Sequence, residues 1–388
     1  MRILHLLTLV TPENAYGGPA TVALNQARAL QDRGHRVVVA AAQRGFGSSP
    51  PVRVAGVPVR LFPARTAVPG AGYAGLGSPG LHRWLARHGR QADVVHVHLA
   101  RDLVTLPAAA VVQMLRAPYV VQTHGMIARS EHPLSGPLDR VLTRRVLAGA
   151  SRILCLDDRE SDAVHDVAVG RVRTLVVPNG ITDEHTRPGT SGPPDPPEVL
   201  FLARMHERKR PLLFAQAAAR LLESHPDARF SLVGPDDGQA DAVRALAALS
   251  SAPERLVWEG PVPPARVPSR MDRCAVFVLP AVDEPFGMSV LEAMARGKPV
   301  IVTRSCGLAS AVATHRVGLV VPDDDPSALV DAIDRLLGDA AARSQMGRRG
   351  RRLAREEFGM LRVVRLLEDA YRDAGAATAA PRPESPRR

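Results

Sequence analysis

Aromatic residues are scarce in this chain, 4% of 388, although its net charge is +11. Cations without interleaved aromatics, and without any recognition-motif pattern, exclude nucleic acid as the partner. Cysteine is scarcer still. Cys155, Cys274 and Cys306 are odd in number and far apart, and the first two fall in apolar strand-like runs. Buried free thiols are therefore expected, rather than a disulfide framework or a metal site, in a reducing cytoplasm. No apolar run reaches the length that crosses a bilayer. The short apolar start, Met1 to Val10, is followed by no small-residue cleavage site, so it is expected to be a strand and not a signal peptide.

What the chain does have is arginine, alanine and 34 prolines, the composition of a G- and C-rich coding sequence. That bias alone accounts for clusters such as Arg348-Arg349-Gly350-Arg351-Arg352. A basic surface still attracts an anionic small molecule or an acidic membrane. Peripheral contact with the inner face of a membrane therefore stays open beside a cytoplasmic location.

At this length two domains are expected. Strands are predicted at Ile3 to Val10, Arg36 to Ala41, Val59 to Phe62, Asp93 to His98, Tyr119 to Thr123, Arg152 to Leu156 and Thr174 to Val177, with helices between them. The Pro- and Gly-rich stretch Thr190 to Pro197 breaks the pattern and is read as a linker. A second series follows: Glu198 to Ala203, Phe230 to Val233, Leu256 to Trp258, Ala275 to Leu279, Val300 to Val302 and Gly318 to Val321. Such alternation predicts an α/β protein with two doubly wound, mainly parallel sheets. The boundaries expected are 1–185, 198–355, a helix over 356–374, and an unstructured tail over 375–388.

One stretch carries more chemistry than any other: Glu284-Pro-Phe-Gly-Met-Ser-Val-Leu-Glu292, between the apolar strands at 275–279 and 299–303. A helix opening near Gly287 to Ser289 presents backbone N–H groups to an anion. Glu284, on the loop beside them, can accept hydrogen bonds from hydroxyls of the same ligand. An anionic, hydroxyl-rich ligand fits, and a nucleotide sugar is the candidate. The competing reading of Glu292 is a capping box with Ser289 as the N-cap, and for Glu284 a solvated loop carboxylate.

This segment resembles the E-x7-E motif of the retaining GT-B glycosyltransferases of the family-4 type, the glycosyl transferases group 1. The resemblance implies two Rossmann-like domains facing a central cleft, an acceptor-binding first domain, a nucleotide-sugar-binding second domain, and a last helix that crosses back. It implies that Glu284 faces the donor sugar, that Glu292 binds the ribose, and that Phe286, Gly287, Met288 and Ser289 supply backbone contacts. It also implies base recognition by backbone near Val257 and Trp258.

Other residues are read against the same pattern. Arg204 and Lys209 follow a strand end, where a forked and a point cation can stabilise a departing diphosphate. Surface arginine alone would explain an isolated pair. The segment is similar to the family's G-R-x4-K-G element, with Ala203 and Arg210 in place of its glycines, and Arg208 and Arg210 offer alternative registers. Gly17 and Gly18, between the first strand and helix, let amides approach a phosphate, and they resemble the family's N-terminal glycine loop. His124, just past a strand end, matches its histidine that contacts the donor sugar. His96 and His98 share a strand face and invite a metal reading, but no third ligand is evident. Ser310 stands where the family has a donor-binding Glu.

A retaining, metal-independent glycosyltransferase using a UDP-sugar, or another nucleotide-diphospho sugar, is therefore expected, with no cofactor and an unknown acceptor hydroxyl. Asp323-Asp324-Asp325 is read as a turn and helix cap, not a metal site. The rivals are another GT-B nucleotide-sugar enzyme, such as an epimerase, and a non-catalytic scaffold of this fold.

Overall fold

The computed structural model describes residues 1–12, 18–47, 49–130, 135–182 and 196–379. Its strands are β1 (Arg2–Val10), β2 (Arg36–Gln43), β3 (Arg53–Val54), β4 (Val57–Pro63), β5 (Arg65–Thr66), β6 (Leu76–Gly77), β7 (Val94–His98), β8 (Tyr119–Gln122), β9 (Arg152–Cys155) and β10 (Thr174–Val176) in the first half. The second half adds β11 (Glu198–Leu202), β12 (Arg229–Val233), β13 (Leu256–Trp258), β14 (Val276–Leu279), β15 (Val300–Thr303) and β16 (Gly318–Val321). Each apolar run predicted to be a strand is one, to within a residue or two, because parallel strands covered on both faces need apolar side chains at nearly every position.

The chain divides into two compact units, Met1–Gly180 with everything from Met360 onward, and Ile181–Gly359. In the first, eight strands run in the order β10-β9-β8-β7-β1-β2-β4-β3, all parallel except the β3–β4 pair. Alternate side chains point to opposite faces. Leu4, Leu6, Val95, Val97 and Val121 enter one core, while Ile3, Leu7, Val94 and Val120 enter the other.

The second core is completed by the last helix, Met360–Ala379, through Val363, Val364, Leu367, Ala370 and Tyr371. Glu368 ties this helix to Arg33 at 2.6 Å and to His35 at 2.9 Å. Hydrogen bonds from Arg33 hold that carboxyl below its usual range. The helix starts at Met360, after the helix Ala340–Phe358 has ended, and it continues past 374 to Ala379. Residues 183–195, with most of the expected linker, and the tail 380–388 lie outside the described residues.

The second unit holds six parallel strands in the order β13-β12-β11-β14-β15-β16. Its sheet is pinned by Arg270, whose guanidinium bonds Glu198 at 2.7 Å and Glu259 at 2.9 Å. Among the described residues no helix is long and apolar enough to cross a membrane.

Candidate active site

In the second unit the loops after β11 and β14 bring opposite charges together. Past β11, a single turn of 3-10 helix, Glu207–Lys209, leads to Arg210 in the left-handed region (φ 55°) at the start of the helix Pro211–Ser224. Three successive cations then take separate partners. Arg208 Nη1 donates to the Asp283 carbonyl at 2.7 Å, Arg210 Nη1 donates to the Asp323 carbonyl, and Lys209 Nζ donates to Glu284 Oε2. Of the three, Lys209 is the side chain that reaches the acid. Lys209 and Glu284 are largely shielded, with side chains 14% and 11% exposed. Arg204 is 47% exposed and bonds Asp237 at 2.5 Å.

The Glu284 loop is held rigidly from behind by the turn after β15. Gly307 N–H donates to the Glu284 carbonyl at 2.8 Å, and a Cβ on Gly307 would lie 2.2 Å from the Pro285 carbonyl oxygen. Asp283 N–H donates to Ser305 Oγ at 2.9 Å, and Ser305 in turn donates to Asp323 at 2.7 Å. The backbone that carries Glu284 is thus fixed, and its carboxylate is held by Lys209.

Gly287 (φ 90°) turns the chain into the helix Met288–Ala295. That conformation is costly for any residue with a Cβ. Gly287 occupies the N-cap position, with no side-chain cap, so the capping box expected of Ser289 and Glu292 does not form. Ser289 lies inside the first turn and Glu292 one turn further on. Val290 N–H donates to the Gly287 carbonyl at 3.0 Å, whereas the earliest N–H groups of a helix have no carbonyl within it to bond, and they carry the positive end of its dipole. Glu292 has lost its role as a cap. Burial pushes its carboxyl up to about 7. Phe286 is buried at the loop's base, edge-on to Phe358 at 6.0 Å. Val257 is half-buried on β13, beside Trp258, whose Nε1 donates to the Gly234 carbonyl at 3.0 Å. Ser310 is exposed in the first turn of the short helix Ala309–Thr314.

The first unit is built differently. His124 sits two residues beyond β8 with φ 51°. Glu160 fixes the turn around it, accepting from Thr123 Oγ1 at 2.6 Å, from Gly125 N–H, and from Leu156 N–H at 2.5 Å. His124 Nε2 meets His98 Nδ1 at 2.7 Å, and His98 Nε2 meets His5 Nδ1 at 2.9 Å. His96 Nδ1 meets the Tyr371 hydroxyl at 2.8 Å. Burial lowers all four histidines, His5 and His124 to about 3, so each is a neutral imidazole.

The third histidine that sequence reasoning did not find is His5, paired with His96 across β1 and β7. Nitrogens of His5, His96 and His98 lie within 4.8 Å of one another, close enough for a metal ion, though His5 and His98 already bond each other. Tyr371 and Glu160 were also missed. Gly18 opens the helix Gly18–Asp32 at an exposed position, and Gly17 lies outside the described residues.

Comparison with known proteins gives this architecture relatives. Residues 183–353 match the family described as Glycosyl transferases group 1, and residues 17–180 the Glycosyl transferase 4-like domain. The chain is 30% identical over 369 residues to a 2-deoxystreptamine N-acetyl-D-glucosaminyltransferase of Streptomyces fradiae, covering 87% of this chain and 85% of that one. It is 32% identical to a D-inositol 3-phosphate glycosyltransferase of Acidothermus cellulolyticus over 59% of its own length, and spans about half, 54%, of that protein. The crystal structure of Anabaena HepE in complex with UDP superimposes with a TM-score of 0.77 at 17% identity, over 95% of this chain and 99% of that one. The fold is the GT-B type.

Proposed function

The chain belongs to the group 1 glycosyl transferases, and from that premise we propose that it moves a sugar, with retention of configuration, from a nucleotide-diphospho donor to an acceptor hydroxyl. One observation carries the reading. Lys209 and Glu284 form a shielded ion pair beside the Gly287 turn that opens the helix Met288–Ala295. An arriving diphosphate competes for Lys209 and for the first-turn amides. Glu284 is released to accept hydrogen bonds from the donor sugar.

Chemistry follows from these roles. The acceptor oxygen bonds to the anomeric carbon on the face that the phosphate leaves, and the electron pair of the broken C–O bond goes to the diphosphate. The acceptor proton passes to a departing phosphate oxygen. Lys209 and Arg204 stabilise the charge that gathers there, the task a divalent ion performs elsewhere, so the transfer runs without one. Glu292 accepts from the ribose, Val257 lies by the base, His124 contacts the transferred sugar, and the Gly17–Gly18 loop approaches the donor phosphate.

UDP is the nucleotide to test first, since it is bound in the Anabaena neighbour. The names of the two relatives specify 2-deoxystreptamine and D-inositol 3-phosphate, both polar carbon rings bearing hydroxyls, so a compound of that class is the first acceptor to try. A cytoplasmic setting, with or without peripheral contact to the inner membrane face, accords with such substrates.

A thermal-shift screen against UDP, GDP, ADP and TDP tests the reading. One nucleotide is expected to raise the melting temperature by mass action, and Lys209→Ala to abolish most of that rise. No shift with any of the four, or an undiminished shift in Lys209→Ala, refutes the assignment.

A further inference from the structure

The turn that carries His124 runs against the conformational preference of its residue. The Thr123 carbonyl accepts from Met126 N–H at 2.8 Å. Both residues between them have positive φ, 51° at His124 and 74° at Gly125. Two positive φ angles in succession mark a type I′ turn. Such turns take Asn, Asp or Gly at the first central position, because left-handed backbone is uncommon for a residue with a Cβ. Gly125 suits its place, whereas His124 is not what the turn itself selects. Conformations of this kind persist only where the surroundings over-determine them, and they collect at functional sites.

Glu160 over-determines this one. The residue is 7% exposed. Its Oε1 accepts from the Thr123 hydroxyl at 2.6 Å and from Gly125 N–H, the two residues that flank His124. Its Oε2 accepts from Leu156 N–H at 2.5 Å, which ties the turn after β8 to the end of β9. Glu160 is itself fixed. It stands in the first turn of the helix Asp158–Val167, and its N–H donates to the side chain of the N-cap, Asp157, at 2.8 Å. Asp157 and Glu160 have the spacing of a capping box, in which the acid bonds back to the N-cap N–H. Here the carboxylate reaches one residue further, to Leu156, and across to the neighbouring strand's turn. A carboxylate accepts at both oxygens, while a glutamine in its place sets an NH2 group against an N–H.

We propose that Glu160 is a positioning residue that acts through His124, its carboxylate holding the turn Thr123–Met126 so that the imidazole meets the donor sugar in one place. The proposal rests on the reading of His124 as a substrate contact. The ring itself is anchored by His98, with Nε2 2.7 Å from Nδ1 and ring centroids 5.0 Å apart. His98 thus holds the ring, and Glu160 holds the backbone that carries it. Without the carboxylate, His124 is free to relax toward negative φ, and its side chain moves with it. A misplacement of about 1 Å is enough to cost roughly 10²-fold in rate.

The test is a cycle of variants in the full chain. Its readouts are turnover of the UDP-sugar found active, calorimetric titration with UDP, and amide hydrogen exchange. Glu160→Gln is expected to lower turnover by roughly 10²-fold at unchanged KM. UDP affinity is expected to hold, because the cations assigned to the diphosphate lie in the second unit. Exchange at Gly125 and Leu156 is expected to quicken, while β7 stays as protected as before. His124→Asn keeps a residue at home in a left-handed turn but removes the imidazole, and beside it Glu160→Gln is expected to add no further loss of turnover. A merely structural role gives an equal loss in both backgrounds. Thr123→Val removes one of the three bonds and serves should Glu160→Gln not fold, with a smaller loss that again vanishes beside His124→Asn. Full turnover in the folded variant, unchanged exchange at Gly125, or an equal loss in the His124→Asn background would overturn the proposal. Full turnover in His124→Asn alone would instead refute the substrate reading of His124, and with it the role given to Glu160.

Discussion

The two units solve the burial of polar groups in opposite ways. In the first, four histidines are stripped of water and kept neutral, each bonded to another ring or to a tyrosine. In the second, Lys209 and Glu284 form an ion pair past a strand end. Neutral groups in a dry interior make directional, fixed bonds. A shielded ion pair is costly to form but can exchange partners when a new anion arrives. Rigidity belongs to the first arrangement and exchange to the second.

Acidification separates the two most strongly. His5 and His124 titrate near 3 when folded and near 6.5 when unfolded, so the native state binds fewer protons across that window. Their contribution is complete above pH 6.5 and is lost as the pH falls, by about 2 kcal/mol each at pH 5. Glu292 runs the other way. Its folded value near 7 lies above the ordinary 4.5, so the cost of ionising it is absent below pH 4.5, complete above 7, and removed in Glu292→Gln. Hydrogen exchange followed separately in each unit should show the first loosening at pH 5 relative to pH 7.5, while the second does not. Parallel loosening of both would break the comparison.

Glu284→Ala is the next largest effect. Turnover should fall by ~10²-fold or more, since the contact acts on the reacting sugar. UDP affinity should hold or rise, because Lys209 loses its competitor. A weaker affinity with intact turnover would reverse the roles given to the pair.

Smaller losses are expected of the cations. Arg204→Ala and Lys209→Ala should each weaken UDP binding by roughly 1.5–3 kcal/mol in calorimetric titration. A Lys209–Glu284 double-mutant cycle on stability should yield a coupling above the ~1 kcal/mol typical of exposed pairs. The smallest effect is the expected zero: EDTA should leave transfer unchanged, and activity that returns with magnesium or manganese would refute metal independence.

Most of the fold could be read from the chain because strands such as Val276–Leu279, and Val300–Thr303 up to its last residue, are apolar throughout. The site was less legible. Glu284 stood out by its spacing from Glu292, but the capping box failed because Gly287, at φ 90°, took the N-cap position instead. His5 stayed hidden because its partner His98 is 93 residues away, and strand order cannot be counted along a sequence. Lys209 left a signal that composition alone could have supplied. Among 50 lysines and arginines only Lys209 and Lys298 are lysine. Lys298 donates to the Asp272 and Cys274 carbonyls at 2.7 and 2.8 Å, so both lysines stand where a compact ammonium is needed.

The return of the chain at Met360 has a consequence for biosynthesis. The second unit lies within one stretch, Ile181–Gly359, whose ends meet where Ile181 N–H bonds the Phe358 carbonyl at 2.8 Å. A ribosome therefore finishes that unit while one face of the first sheet, with Leu7, Val94 and Val120, has the helix Gly18–Asp32 but still lacks the second helix that packs on it. Domains tend to fold in the order they emerge, yet here the earliest strands wait for a helix that follows the whole second unit. Nascent chains stalled before Met360 would expose to chaperones the part of that face that the helix Gly18–Asp32 leaves uncovered, and Tyr371 would reach the histidines only after the second unit is made.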